Sequence, residues 1–130
     1  ARAQVLVTNP IPNLKVRGTF HYEKGYYYFR NIGDRILLGG GRNIDIKGEN
    51  TANFGTTDAI QNRLKSLLRE TILPNEEFNI DYTWSGIMGV GATKSPILRM
   101  LNKNTAIGVR LGGMGVALGS QVGKKLSSYF

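Results

Sequence analysis

The longest periodic signal in the chain lies between residues 60 and 72. Ile60, Leu64, Leu67, Leu68 and Ile72 recur at helical spacing and would line one face of an amphipathic helix. Thr56 or Thr57 can cap its start, Asp58 sits in its first turn, and Pro74 lies just beyond its end. Elsewhere the period is two. Gln4 to Thr8 alternates and favours β structure until Pro10 and Pro12 break the run. Gly18 to Tyr22 reads as a second strand, Glu23-Lys24-Gly25 as a hairpin turn, and Tyr26 to Arg30 as the strongest strand, since aromatics suit a pleated surface. Asn31 to Asp34 turns the chain again, and Arg35 to Leu38 returns it until Gly39-Gly40-Gly41 ends the strand. Short turns between successive strands imply an antiparallel meander. Residues 42–56 are polar and rich in Gly and Asn, and read as a loop.

Phe78, Ile80, Tyr82 and Trp84 alternate with Asn79, Asp81 and Thr83, which predicts a half-buried strand before the Gly-rich stretch Gly86 to Gly91. Thr105 to Val109 reads as the last strand, and residues from about 114 to the end as a helix. The expected class is α+β: a mostly antiparallel sheet with an amphipathic helix and a C-terminal helix.

Composition adds bounds. The chain has 130 residues, of which 41% are hydrophobic and 20% charged, enough to bury a core in one domain. It has no cysteine, which removes disulfides, Cys-based zinc sites and thiol nucleophiles from consideration. No apolar run reaches membrane-spanning length, and no signal-peptide pattern opens the chain. The start at Ala1, with a strand almost at once, reads as a piece of a longer protein. Lys and Arg number 17 against 9 Asp and Glu, a net charge of +8. Only Lys124-Lys125 are adjacent, so a solvated basic surface, or one facing an absent acidic region, is favoured over a nucleic-acid footprint.

The candidate chemistry concentrates at Thr105 to Gly119, a strand, a glycine loop and a helix start. Such a start presents unpaired N–H groups and the positive end of the helix dipole. It is not a dinucleotide fingerprint, which needs a following strand with an acidic residue about 20 positions on. Gly115, Gly119 and Gly123 also lie four apart and could serve helix packing instead. Both uses stay open, because different glycines would serve each. Gly39-Gly40-Gly41-Arg42 is a weaker candidate, since a glycine run after a strand is usually a turn or bulge. His21 is the single histidine and cannot complete a multi-histidine metal site. No Gly-x-Ser-x-Gly elbow supports a triad around it. The carboxylates show no acid/base or metal-ligand pairing.

Tyr26-Tyr27-Tyr28-Phe29-Arg30, then Arg35-Ile36-Leu37-Leu38-Gly39-Gly40-Gly41, Trp84-Ser85-Gly86-Ile87-Met88 and Gly112-Gly113-Met114-Gly115-Val116 occur in an order and spacing that can be compared with known families. Together they resemble the C-terminal third or so of the D-amino-acid oxidase, glycine oxidase and sarcosine oxidase family of FAD-dependent oxidoreductases. The resemblance covers nearly the whole chain. It implies a substrate-binding cap region over about residues 1–104. Residues from about 105 to 130 would return to an N-terminal FAD-binding domain that this sequence lacks.

It further implies FAD as cofactor, with Gly112, Gly113, Met114, Gly115 and Val116 near the N1–C2 carbonyl edge of the flavin. Charge that develops there on reduction would meet the helix N-terminus. The substrate would be a small amine or amino acid, oxidised by hydride transfer to N5 and hydrolysis of the imine. Tyr27 would face it. Met88 stands where relatives commonly carry the arginine that grips the substrate carboxylate, which leaves Arg42, Arg99 or Arg110 to replace that clamp. A cytoplasmic parent is expected, with neither a nucleic-acid nor a membrane partner. The piece alone is expected to be inactive, not to retain FAD, and to self-associate through exposed apolar surface. The alternatives are a basic nucleic-acid-binding module and a non-catalytic domain that keeps the family fold.

Overall fold

The computed structural model describes residues 1–130. The chain is α+β and divides into two compact units, Arg2–Ile87 and Met88–Phe130, the latter with Ala1. No helix is long and apolar enough to cross a membrane.

The first unit is a five-strand antiparallel sheet covered by one helix. Strands β1 (Arg2–Thr8), β2 (Thr19–Tyr22), β3 (Tyr27–Ile32), β4 (Arg35–Gly40) and β5 (Ile80–Ile87) lie in the order β2-β3-β4-β1-β5. The expected meander is β2-β3-β4. β1 then pairs on both sides, with β4 and with β5. Helix α1 (Asp58–Leu67) ends in a wider π turn over Leu68–Ile72, where the Leu73 N–H reaches back to the Leu68 carbonyl at 2.7 Å. All five residues of the anticipated helical stripe are buried, against Leu6, Tyr27, Ile36 and Leu38 of the sheet and Ile11 and Leu14 of the following loop. Each such side chain contributes about 1.5–3 kcal/mol by leaving water. Thr57 does occupy the position before the helix, but its hydroxyl accepts from Gln4 Nε2 at 2.9 Å and makes no capping bond.

Glu23-Lys24-Gly25 joins β2 and β3 as the expected hairpin turn, in a short 3₁₀ form with Glu23 and Lys24 at φ of 48° and 57°. The structure departs from the sequence reading in three places. The β4 strand does not stop at its glycines but runs through Gly39 and Gly40. There Tyr28 folds over Gly39 and the Tyr26–Tyr27 backbone presses on Gly40, so the glycines permit close pairing instead of ending it. β5 is not half-buried: Tyr82 and Trp84 keep 58% and 45% of their surface exposed. It is an edge strand, and both residues lie on the sheet face opposite Leu6, Ile36 and Leu38. Finally, Ile97–Asn102 is a strand that sequence reading missed, because its run of apolar residues does not alternate.

The second unit pairs that strand, β6 (Ile97–Asn102), with β7 (Thr105–Val109) and packs helix α2 (Gly115–Ser127) against the hairpin. A Cβ at Gly108 would press on Val122 and lie 2.9 Å from Leu126 Cδ1. The glycine that allows this packing is therefore on the strand. A Cβ at Gly119 or Gly123 would meet nothing within 4 Å.

Candidate cofactor and substrate site

The loop before α2 is shaped by backbone conformation. Gly112 and Gly113 have φ of 57° and 84°, a region costly for residues with a Cβ. The Gly112 N–H donates to the Gly89 carbonyl at 3.0 Å, and Met114 N–H to Leu111 at 2.8 Å. Helical bonding begins with Leu118 N–H to the Met114 carbonyl at 2.9 Å. The N–H groups of Gly113, Gly115, Val116 and Ala117 therefore have no protein partner, as the first turn of a helix requires. Met114 makes no side-chain cap, and the Val116 side chain is fully exposed. Residues 88–130 contain Lys94, Arg99, Lys103, Arg110, Lys124 and Lys125 and no Asp or Glu, so no side-chain carboxylate of this unit opposes the positive helix end.

Arg110 leads into this loop with φ of 62°. Its Nε and Nη2 donate to the Ser95 carbonyl at 3.3 and 2.9 Å, and Nη2 also to Thr93 Oγ1 at 2.9 Å. Nη1 is uncommitted, and no carboxylate pairs with the guanidinium. A Cβ at Gly91 would lie 2.8 Å from Nη1, so that glycine makes room for it. Met88 exchanges backbone hydrogen bonds with Ala1 at 2.8 and 2.7 Å, and its Sδ would touch a Cβ at Gly113 at 3.4 Å. Met88, Arg110 and Gly112 to Val116 thus belong to one unit.

In the five-strand unit, alternation separates two tyrosines. Tyr27, expected to face substrate, is 1% exposed in the core, where its hydroxyl accepts from Arg63 Nε at 3.3 Å. Tyr28 lies on the open face, beside a cleft of about 720 Å³ lined by Thr19, His21, Arg30 and Leu37. Burial pushes its phenol above the usual tyrosine range. A one-residue step in a strand reverses the face, and the core parity of Ile36 and Leu38, paired with Asn31 and Phe29, is the signal that distinguishes the two. A second cleft, about 660 Å³ and lined by Asn9, Arg69, Glu76 and Asn79, lies at the C-terminal end of the α1 region, away from these residues.

Arg42 follows Gly41 (φ 78°) at the start of the 42–56 loop and makes no ion pair. That loop is pinned by a buried carboxylate that sequence reading overlooked. Glu49 is 1% exposed; Arg2 donates to it through Nε at 3.0 Å and Nη2 at 2.7 Å, and Gln4 Nε2 at 2.9 Å. The Arg2 hydrogen bonds hold the Glu49 carboxyl below its ordinary range, against the opposing effect of burial. No group of three His, Cys, Asp or Glu residues is placed to hold a metal.

A family model described as FAD dependent oxidoreductase matches residues 1–129. The chain belongs to that family. No curated protein and no solved structure matches it. The residues at the start of α2 fit part of the cofactor this family uses. An exposed helix N-terminus with four unpaired N–H groups, reached through glycines and with no Asp or Glu in its own unit, suits an electron-rich ring edge.

Proposed function

We propose that this chain is the C-terminal part of an FAD-dependent amine or amino-acid oxidoreductase. The observation that carries the reading is the α2 start, where Gly113, Gly115, Val116 and Ala117 offer N–H groups with no protein acceptor. FAD, when bound by the rest of the longer protein, would supply hydride-accepting chemistry at the amine-bearing carbon, with oxygen or another acceptor reoxidising it and the imine product open to hydrolysis. The chain's own contribution is electrostatic. Fixed backbone dipoles aimed at the place where negative charge develops need not reorganise during reaction. Gly112 and Gly113 set their direction, and Met114 and Val116 flank them.

In the same reading Tyr28 takes the substrate-facing place first expected of Tyr27, because of these two neighbours it is the one on the open face. Arg110 is better suited than Arg42 to stand in for the carboxylate clamp absent at Met88. Its guanidinium is already oriented by Thr93 and Ser95, and Nη1 remains available for an anion. The test is an anaerobic screen of amines and amino acids with the full-length protein. Bleaching of the flavin absorbance by at least one amine is expected, with an Arg110→Lys variant raising KM for carboxylate-bearing substrates. A full-length protein that holds no flavin, or whose flavin no amine reduces, would overturn the reading.

A further inference from the structure

Tyr28 does not stand upright on its strand. Side chains of a sheet ordinarily rise roughly perpendicular to it, yet a Cβ at Gly39 would lie 2.6 Å from both Cζ and the hydroxyl oxygen of Tyr28 and 2.7 Å from Cε2. Gly39 is the residue directly opposite Tyr28 on β4. The ring therefore lies across the neighbouring strand, with its hydroxyl end resting on the glycine. The same cross-strand line starts at His21 on β2 and continues to Val5 on β1 and Trp84 on β5. Gly39 is the one place on it without a side chain to hold the ring up. Nothing in the backbone asks for a glycine there. Unlike Gly40 and Gly41, Gly39 does not have a left-handed φ, and it pairs in regular register with Tyr28 and Val5. A glycine inside a strand weakens it and often marks a close approach. Here the three atoms nearest the missing Cβ all belong to the far end of the Tyr28 ring.

We propose that Gly39 is a positioning residue for the substrate site: it seats the Tyr28 ring flat on the sheet, and so sets how bulky an amine the open face admits. This rests on the reading in which Tyr28 faces the substrate. The methyl of Gly39→Ala would project from the face on which the ring lies. The ring would have to rise by about 1 Å to recover ordinary contact distance. The displaced atoms are the end of a rotatable side chain, so the strands need not separate. A hydroxyl moved that far is nevertheless misplaced for a bound substrate. The room lost is about that of one methyl group, and a change of that size in a pocket alters discrimination between substrates by about tenfold or more.

Two measurements on the full-length protein test this. The first is an ultraviolet titration of the Tyr28 phenol, read as the difference between each protein and its Tyr28→Phe counterpart. Burial holds that phenol above the usual tyrosine range, and Gly39→Ala, by lifting the ring into solvent, is expected to bring it down toward the ordinary value. The second is anaerobic flavin reduction by glycine, D-alanine and D-phenylalanine. Gly39→Ala is expected to lower kcat/KM for D-phenylalanine relative to glycine by about tenfold, chiefly through KM. In a Tyr28→Ala background the same substitution should leave that ratio unchanged. Tyr28→Ala should also relieve any fall in urea midpoint that Gly39→Ala causes. An unmoved phenol, an unaltered size preference, or an effect of Gly39→Ala that persists without the Tyr28 ring would each overturn the proposal. A wild type whose flavin no amine reduces would overturn the oxidoreductase reading and the substrate role of Gly39 with it, while the phenol titration would still decide whether Gly39 seats the ring.

Discussion

Gly40→Ala isolates what the glycines of β4 do. Gly40 has φ of 119°, and a Cβ there would run into the Tyr26 carbonyl oxygen and lie 2.8 Å from Tyr27 Cα. Both obstacles are backbone of the paired strand, and the same Tyr26 carbonyl accepts from Gly41 N–H at 3.0 Å. Relief would require β3 and β4 to separate. The backbone strain costs about 1–3 kcal/mol, and forcing atoms into a filled space about 1–3 kcal/mol more. The sum, about 2–6 kcal/mol, is a large share of the 5–15 kcal/mol or so by which such folds are stable. Gly33→Ala supplies the control. Gly33 has φ of 57°, but a Cβ there would meet nothing within 4 Å, so only the conformational cost of about 1–2 kcal/mol applies. Urea unfolding followed by far-UV circular dichroism and by Trp84 fluorescence gives both values from midpoints and slopes. If the two variants lose equal stability, the close approach of β3 to β4 is not what the glycine serves.

Two further outcomes follow from the loop and the helix start. Glu49 has a depressed folded-state pKa, so the folded state binds fewer protons and its contribution is fully present above the ordinary glutamate value of 4.5 and lost as pH falls through the folded value. Glu49→Gln is therefore expected to be less stable than wild type at neutral pH, with the gap in urea midpoint closing as pH drops below 4.5; a gap constant with pH would count against the Arg2–Glu49 pair as its source. Val116→Glu places a carboxylate in the first turn of α2, which should raise stability by about 0.3–1 kcal/mol through the helix dipole. In the full-length protein the same carboxylate should slow flavin reduction and lower the flavin potential. A rise in both stability and potential would contradict the proposed position of the flavin edge.

How legible these features were depends on what carried the signal. The helix at 58–72 was readable because five large aliphatics repeat on one face and nothing competes with that period. The meander was readable for the same reason, since aromatic strands alternate between short turns. The position of β1 was not, because pairing of Gln4 with both Gly40 and Ser85 is a long-range fact with no local signature. β6 was hidden by an apolar run without period. The site loop was visible as glycines but not as conformation: nothing in Arg110-Leu111-Gly112-Gly113 announces three residues at positive φ, Arg110 among them. Tyr27 and Tyr28 are neighbours in sequence, and only the pleat, read from the core residues Ile36 and Leu38, places them on opposite faces.

These points bear on where the proposed chemistry resides. The groups assigned to the flavin edge are backbone N–H groups of Gly113, Gly115, Val116 and Ala117, not side chains. Their direction depends on Gly112 and Gly113 staying left-handed and on Gly108 letting Val122 and Leu126 seat α2 against β7. A substitution at Gly108 would therefore act on the helix start without touching it. The Leu126 and Val122 tips would have to move, tilting α2, while the local sequence from Gly112 to Ala117 stayed intact. In this unit the packing glycine on the strand and the conformational glycines in the loop do different work, and the proposed function requires both.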